Sequence, residues 1–519
     1  MDSNTLQILI AMVIYMSAVI VIGVVFSRRA NASSENYFLG GRSLGPWTTA
    51  MSAEASDMSG WLLMGLPGVA YWCGLADAAW TAIGLAVGTY LNWLIVSKRL
   101  RRYSVRVKAI TLPEFFSNRF HEDKKVIMTI AAFFILIFFT VYASSCLVTC
   151  GKLFSTLFGA PYVTMMVLGT VFVLIYTLLG GFLAESASDF MQAIVMIIAL
   201  SVIVIVSTGA AGGLSAVMDN AKSIPGFFEF FGIASPTLEN GVQAVANGQP
   251  QFGAAGSYGL LTILSTLAWG LGYFGMPQVL LRFMAIRSEG ELTRSRRIAT
   301  VWVVISLAVA TFIGIVGRAL YPTALATASE AENVFILLST SLLPSLLAGF
   351  VMAGILAATI SSSDSYLLIA ASAFAKNIYQ GLFKKDADDK KVMTISRITL
   401  VVIAVLAMLI AMDKDSVIFT IVSFAWAGFG ATFGPLMLFS LFWKRTSRAG
   451  AIAGMVSGGS MVFFWKLVIR PLGGAFNIYE LLPAFIFSCL CIVVVSLLTA
   501  PPSQEVEADF DIVKDGKLA

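Results

Sequence analysis

Charged residues are scarce in this chain. Only 12% of its 519 residues are Asp, Glu, Lys or Arg, and 58% are hydrophobic, whereas soluble domains contain about 25% charged residues. Several stretches, such as 126–151 and 333–363, run for more than a full span without one charged side chain. Because a membrane-spanning helix needs about 20 apolar residues, the composition argues against several soluble domains and predicts one membrane-embedded body.

Histidine and cysteine, which supply many catalytic bases and metal ligands, are also rare. The one histidine, His121, lies in RFHEDKK, where Lys125 replaces the second histidine of an H-E-x-x-H zinc motif. The five cysteines show no paired spacing typical of disulfides. The G-x-G-x-x-G pattern at 270–275 lies inside an uncharged span, whereas a dinucleotide-binding fingerprint follows a strand. These absences predict that the chain is not an enzyme.

The apolar stretches predict thirteen transmembrane helices. The segment before the first of them, MDSNTLQ, lacks the basic residues that begin a signal peptide. We expect the spans at 6–26, 46–72, 75–97, 126–150, 162–182, 189–208, 257–281, 298–318, 338–375, 393–412, 416–442, 449–468 and 479–500, the ninth as one long helix.

Positive charges are divided unevenly between the loops that join these spans. Loops on one side, including 97–125 and 282–297, hold 28 of the 34 Lys and Arg residues. Cytoplasmic loops carry such an excess in membrane proteins. The pattern therefore predicts an outside N-terminus and a cytoplasmic C-terminus. It also explains the net charge of +5 by contact with membrane lipid, without nucleic acid or an obligate protein partner.

Two carboxylates interrupt the second span, in AEASDMSGW at 53–61. An Asp at the centre of a membrane costs about 2.5–3.5 kcal/mol on insertion scales, so Asp57 indicates a functional site. Ser59 and Gly60 weaken the helix, and a break there would free carbonyls for Na⁺ and a helix N-terminus for a substrate carboxylate. Glu54 either shares this role or faces another helix.

A second breakable segment, LAWGLGYFGMP at 267–277, follows five spans later. Paired broken helices at matching positions are typical of inverted-repeat transporters. The sequence therefore predicts an all-α polytopic protein with a five-plus-five inverted repeat. Its expected parts are an N-terminal span with an inside loop (1–45), a first repeat (46–208), an outside loop (209–256), a second repeat (257–442), two extra spans (443–500) and a cytoplasmic tail (501–519).

Hydroxyl groups cluster in the ninth span, in AATISSSDS at 357–365. Ser361 shares a helix face with Asp364 and Ser365, at spacings of three and four residues. Such an oxygen-only set suits an alkali cation better than a transition metal. The alternative is a stripe of small residues that packs against another helix, with the serines bonded to their own backbone.

Five stretches resemble the sodium/solute symporter family: ASDMSGWLLMGLPG, WGLGYFGMPQ, GGFLAESASDFMQA, GILAATISSSDS and WAGFGATFGPLMLFSLFWKRTSRAGAIAGM. The resemblance covers about residues 6–500, and the first two stretches are most similar to its sodium/proline branch. It implies the LeuT-type fold, alternating access and Na⁺ as the coupling ion. We therefore expect an L-proline importer of a bacterial cytoplasmic membrane. The alternatives are a Na⁺ symporter for pantothenate, a short carboxylate, a sugar or sialic acid, and a transporter-like sensor.

The resemblance also implies roles for individual residues. The Na⁺ ligands would be the carbonyls of Ala55, Met58 and Ala358 and the hydroxyls of Ser361 and Ser362, with Asp57 beside them. The substrate pocket would be formed by Ser59, Gly60, Trp61, Tyr142, Trp269, Tyr273 and Phe274.

A second cation site is the last expectation. The resemblance matches Asp189, Asp364 and Ser365 to positions where some family members hold a second sodium. Two carboxylates that lie close together need a cation or a shared proton between them. The alternative is that Asp189 caps the start of its helix and that Asp364 bonds a neighbouring hydroxyl. Glu54, Met276 and Asp364 depart from the small or uncharged residues usual in the branch, so sodium number and exact substrate stay open.

Overall fold

The computed structural model describes residues 3–30 and 32–516, and this part of the chain is predominantly helical. Ten helices within it are long and apolar enough to cross a membrane, and the bent pair Leu260–Gly275 with Pro277–Ala285 would make eleven. Two other predicted spans fall outside this count. The segment 46–73 is interrupted, and Tyr162–Leu178 is a shorter apolar helix. The protein is thus a multi-span helical membrane protein.

The first half of the chain contains eight principal helices. They are joined by the short helix Ser34–Leu39, the 3₁₀ turn Gly40–Arg42 and the π-helical turns Trp61–Gly65 and Asn92–Val96. The principal helices are α1 (Ser3–Ala30), α2 (Pro46–Gly60), α3 (Leu66–Cys73), α4 (Leu75–Leu91), α5 (Ser97–Arg106), α6 (Leu112–Arg119), α7 (Val126–Phe158) and α8 (Tyr162–Ala210).

The second half contains nine principal helices. They are α9 (Leu260–Leu267), α10 (Pro277–Ala285), α11 (Leu292–Leu320), α12 (Ser345–Ser372), α13 (Asp389–Ile410), α14 (Ile418–Phe442), α15 (Arg448–Phe464), α16 (Leu481–Leu498) and α17 (Gln504–Asp515). Shorter helical elements are Ala268–Gly275, Glu289–Glu291, Ala328–Ala331, Val334–Leu342, Ala373–Phe383, Trp465–Ile469, Arg470–Leu472 and Gly474–Phe476.

The predicted outside loop 209–256 carries structure of its own. It contains a helix, Leu214–Ser223, and three small antiparallel two-stranded ribbons. One of their strands, Gly256–Ser257, ends one residue beyond the loop. The paired strands are Gly232–Ile233 with Gly256–Ser257, Leu238–Glu239 with Val242–Gln243, and Val245–Ala246 with Gln249–Pro250.

Two predicted helix boundaries are wrong. The chain turns at Gly181, whose φ of 56° favours glycine, and the predicted inside loop 183–189 is helical. A β-carbon on Gly181 would lie 2.8 Å from the ring of Tyr37, so the turn is also tightly packed. The ninth span begins at Ser345 instead of 338, because Pro344 separates it from the preceding short helix. Beyond Ser372 it continues as a π-helix to Phe383.

The core surrounds α12 and the two broken helices. A side chain at Gly88 of α4 would lie 2.3 Å from the carbonyl oxygen of Gly270, so the two backbones approach closely at the second break. α10 begins with Pro277 at its first turn, a position that proline favours. The second break therefore lies deep inside the bundle.

Arg282 and the C-terminal tail lie in surroundings that differ from those predicted. Arg282, which we assigned to an inside loop, lies in the last turn of α10 and is completely buried. The predicted tail contains α17, which binds the body of the protein through Arg106–Asp509 and Lys444–Asp511 ion pairs, both 2.7 Å long. The last three residues of the predicted tail, 517–519, lie outside the described residues.

Candidate substrate and cation sites

The first broken helix is interrupted at Ser59. This residue has φ 47° and ψ −172°, a backbone conformation that only glycine adopts without strain. Its hydroxyl accepts a hydrogen bond from the backbone N–H of Trp61, at 3.2 Å. The next residue, Gly60, packs on α7 so closely that a β-carbon would lie 2.5 Å from Oγ1 of Thr149. The break lies where the Ser-Gly pair predicted it.

Oxygen atoms converge beside this break. The hydroxyl of Ser361 donates to the carbonyl oxygen of Ala55 at 2.8 Å and to that of Ala358 at 3.2 Å. The hydroxyl of Ser362 donates to the same Ala55 carbonyl at 3.3 Å. All four residues are fully buried. The carbonyl of the fifth predicted ligand, Met58, faces the backbone N–H of Trp61. Hydroxyl and carbonyl oxygens without nitrogen or sulfur fit an alkali cation.

Asp57 connects the two broken helices. Tyr273 donates its hydroxyl proton to one carboxylate oxygen at 2.7 Å, and the amide of Gln278 donates to the other at 3.2 Å. Both donors belong to the second broken helix, and all three side chains are buried. Gln278 was not predicted as a site residue, although a polar residue one position after Pro277 in an apolar span was a visible signal.

Glu54 points toward a different neighbour. One carboxylate oxygen accepts a hydrogen bond from the indole N–H of Trp93 at 3.2 Å. Trp93 belongs to the π-helical turn after α4 and packs edge-on against Phe283 of α10, with 4.5 Å between ring centroids. Glu54 therefore contacts another helix, which was one of its two interpretations.

Aromatic rings surround the predicted substrate segments. Trp61 and Trp269, one from each break, lie 5.7 Å apart. Phe419 packs on both of them, at 5.9 and 5.4 Å. Phe274 is buried in the same unwound segment as Trp269. Two further rings that the sequence analysis missed touch Trp269: Trp426 at 6.0 Å and Tyr479 at 5.1 Å.

Tyr142 contacts the first broken helix through its hydroxyl group. Its ring stacks on Tyr366 of α12 at 4.2 Å. Both hydroxyls donate to the backbone carbonyl oxygen of Asp57, at 3.3 and 3.4 Å. The two tyrosines therefore bind the broken helix itself, close to the Ser59 turn.

Asp189 and Ser365 meet around a residue that was not predicted. Arg282 donates to Asp189 at 3.1 Å, to Ser365 at 2.9 Å and also to Glu185. Ser365 donates to Glu185 as well. Asp364 accepts a hydrogen bond from the backbone N–H of Ser365 at 2.7 Å, and its second oxygen is buried without a hydrogen-bond partner. A guanidinium group thus already lies between two of the carboxylates.

The capping interpretation of Asp189 is wrong. This residue lies well inside the helix that follows Gly181, and its carboxylate accepts a hydrogen bond from Ser52 of α2 at 2.7 Å. Glu185 carried the same signal as Asp57, an acid among apolar residues, but we had assigned it to a loop. The described residues contain no group of three or more His, Cys, Asp or Glu side chains arranged to hold a metal ion.

A buried ion pair fixes the start of α14, next to the aromatic group. Lys152 lies 2.7 Å from Glu332, whose two carboxylate oxygens accept the backbone N–H groups of Ile418 and Phe419 at 2.9 and 3.0 Å. Burial raises the pKa of Glu332, and the ammonium of Lys152 partly offsets this. The pair holds the helix end that places Phe419 on Trp61 and Trp269.

Known proteins resemble this chain over nearly its whole length. The model of the sodium:solute symporter family matches residues 37–458. A sodium/proline symporter of Haemophilus influenzae is 42% identical over 513 residues, which is 97% of either chain. A high-affinity proline transporter of Bacillus subtilis is 39% identical over 492 residues, 94% of this chain and 98% of that one.

Solved structures show a shared fold at low sequence identity. A Na⁺-coupled sialic acid symporter in a substrate-bound outward-open state superposes with a TM-score of 0.76, at 19% identity, over 96% of this chain and 99% of that one. The nucleobase-cation-symport-1 transporter Mhp1 superposes with a TM-score of 0.55 at 12% identity, over 93% of this chain and 100% of that one. The LeuT-type fold is therefore confirmed. The chain belongs to the sodium:solute symporter family.

Proposed function

We propose that this protein imports L-proline together with Na⁺ across the bacterial cytoplasmic membrane by alternating access. Relatives named for proline transport are 38–42% identical over nearly the full chain. The observation that carries the proposal is the convergence of the Ser361 and Ser362 hydroxyls on the Ala55 carbonyl at a broken helix. The protein is a transporter and not an enzyme.

The Na⁺ site couples the ion to the second broken helix. Na⁺ would bind the carbonyls of Ala55, Met58 and Ala358 and the two serine hydroxyls, in place of the hydrogen bonds that now join them. Asp57 lies one residue before Met58 and is held by Tyr273 and Gln278. A positive charge at this site favours the ionised Asp57, which in turn holds Tyr273 in place.

The substrate pocket lies between the two breaks. A half-helix begins after the break at Ser59, and its positive N-terminal end suits the carboxylate of proline. Aromatic faces attract a cation by up to about 2 kcal/mol when water is excluded, so Trp269 and Tyr273 suit the ring ammonium. Ser59, Tyr142 and Phe274 complete the pocket.

The proposed topology has thirteen spans, with the N-terminus outside and the C-terminus cytoplasmic. The ten long apolar helices, the bent pair, the interrupted segment 46–73 and the shorter helix Tyr162–Leu178 add up to this number. Segments 46–208 and 257–442 form the two inverted repeats. The excess of Lys and Arg on one side supports the orientation.

A second cation site is proposed at Asp189, Asp364 and Ser365. Arg282 balances Glu185 and Asp189 only in part, because one guanidinium pairs with two carboxylates. The second oxygen of Asp364 is buried without a partner, and unpaired buried charge is costly. A cation beside Asp364 would offset the charge of that carboxylate.

Uptake of radiolabelled proline into proteoliposomes tests the proposed function. We expect accumulation with an inward Na⁺ gradient and little uptake when K⁺ replaces Na⁺. Unlabelled pantothenate, glucose and sialic acid should not compete. Equal uptake in both salts would refute Na⁺ coupling, and strong competition by one of these solutes would refute proline as the substrate.

A further inference from the structure

Tyr479 lies in the segment that joins α15 to α16, the C-terminal helix pair outside both proposed repeats. It lies between the turn Gly474–Phe476 and α16. Its ring nevertheless stacks on Trp269, with 5.1 Å between centroids and 24° between planes, an offset arrangement that aromatic pairs prefer. A residue from the extra helices thus reaches the unwound segment of the second broken helix.

Hydrogen bonds anchor Tyr479 to two other helices. Its backbone N–H donates to the hydroxyl of Ser265 on α9 at 2.6 Å, and its own hydroxyl donates to the carbonyl oxygen of Ser423 on α14 at 2.6 Å. The next residue, Glu480, is fully buried and pairs with Arg470 at 3.0 Å. The ring of Tyr479 therefore has one position, fixed by groups on both sides of it.

Close packing connects this position to the break. A β-carbon on Gly430 of α14 would lie 2.8 Å from Leu481 of α16 and also 2.8 Å from the α-carbon of Gly272 in the unwound segment. A β-carbon on Gly434 would lie 2.7 Å from Phe485 of α16. The unwound segment, α14 and α16 are packed so closely that none of them can shift against the others. The position of Tyr479 therefore determines the position of Trp269.

The ring of Tyr479 covers one side of the Trp269 indole. Trp61 and Phe419 lie on its other sides, at 5.7 and 5.4 Å, and Trp426 binds its backbone carbonyl oxygen at 2.8 Å. Without the ring of Tyr479, the indole could move away from the pocket and leave space for a larger substrate. One methylene in an apolar pocket changes selectivity by about 10- to 200-fold.

We propose that Tyr479 determines the ring size that the substrate pocket accepts, by holding Trp269 in place from the C-terminal helix pair. This inference rests on the proposed function, and it gives the extra helices a part in substrate selection. Tyr479 acts through Trp269 and is therefore a positioning residue.

The test compares a five-membered with a six-membered ring. Uptake of labelled L-proline and of labelled L-pipecolate, which has one more methylene, is measured for wild type, Tyr479→Leu and Tyr479→Phe. We expect Tyr479→Leu to raise the ratio of pipecolate to proline kcat/KM about tenfold. Tyr479→Phe keeps the ring on Trp269 and should keep the wild-type ratio.

Phe476→Leu is the matched control. Phe476 lies three residues earlier, is half exposed and contacts Trp465 instead of Trp269. The Phe476→Leu variant should therefore have the wild-type ratio of pipecolate to proline kcat/KM. An unchanged ratio in Tyr479→Leu, with kcat lowered equally for both substrates, would overturn the proposal and leave a purely structural role. If Tyr479→Leu does not reach the membrane, Tyr479→Met serves the same comparison, because it fills space without a ring.

Two further outcomes separate this inference from the proposed function. In a Trp269→Ala background, Tyr479→Leu should cause no further change in the ratio, and an equal further change would contradict action through Trp269. Wild-type protein that takes up no proline would refute the proposed function itself. Wild-type uptake with an unchanged ratio in both Tyr479→Leu and Tyr479→Met would refute only the role of Tyr479.

Discussion

Replacement of Gly60 by Ala should weaken proline transport for a steric reason alone. The backbone at Gly60 has φ −59° and ψ −14°, which alanine adopts without strain. A β-carbon there would lie 2.5 Å from Oγ1 and 2.6 Å from Cγ2 of Thr149, both far inside contact distance. Overpacking of this kind costs about 1–3 kcal/mol. If the cost falls on the substrate-bound state, KM for proline rises roughly 5- to 150-fold.

The assay is initial-rate uptake of labelled proline into proteoliposomes at saturating Na⁺. Thr149→Ala removes the two closest atoms, so the double variant Gly60→Ala/Thr149→Ala should recover most of the loss in KM. Gly209→Ala is the control, because a β-carbon at this helical position meets nothing within 4 Å. A Gly60→Ala variant with wild-type KM, or a double variant without recovery, would show that Gly60 does not pack on Thr149 during transport.

Two further predictions concern the aromatic pocket and the acidic cluster. Trp269→Ala should raise KM for proline much more than the apparent KM for Na⁺, measured in the same uptake assay; equal changes in both would remove Trp269 from the substrate pocket. Electrical recording should show two elementary charges moved per labelled proline in wild type, because proline is a zwitterion and each of two Na⁺ carries one charge. Asp364→Asn should move one charge per proline, because the second cation is lost. A ratio of one in both proteins would refute the second cation site.

The features predicted correctly have a local cause. An acid in an apolar span is costly wherever the helix packs, so Asp57 indicated a functional site from its local sequence alone, and this role stays a prediction. Ser-Gly and Gly-Pro segments weaken a helix through their own backbone properties, and both breaks lie where these residues predicted them. The resemblance to the family assigned the hydroxyls of Ser361 and Ser362 to one Na⁺ site. Both donate to the Ala55 carbonyl, and Na⁺ binding there stays a prediction.

The features that were missed depend on distant parts of the chain. Arg282 was assigned to a loop because the uncharged stretch before it ends at Leu281, and only the ion pairs with Glu185 and Asp189 of α8 explain its burial. The turn at Gly181 lies next to the predicted end of the fifth span at 182, but the next helix was placed too late, from 189, because Glu185 was assigned to a loop. Tyr479 is far from Trp269 in sequence, and stacking between them follows from the packing of α16 on α14.

The Na⁺ dependence of proline uptake in Ser361→Ala/Ser362→Ala shows whether the oxygens at the first break bind the coupling ion. Loss of two hydroxyl ligands to a cation should raise the apparent KM for Na⁺ at least about tenfold, while proline affinity at saturating Na⁺ changes much less. Ser363→Ala is the matched control, since the Ser363 hydroxyl donates to Thr359 and Ile360 of its own helix and should leave Na⁺ dependence unchanged. Unchanged Na⁺ dependence in the double variant would contradict the account, because the oxygens at the first break would then not bind the coupling ion.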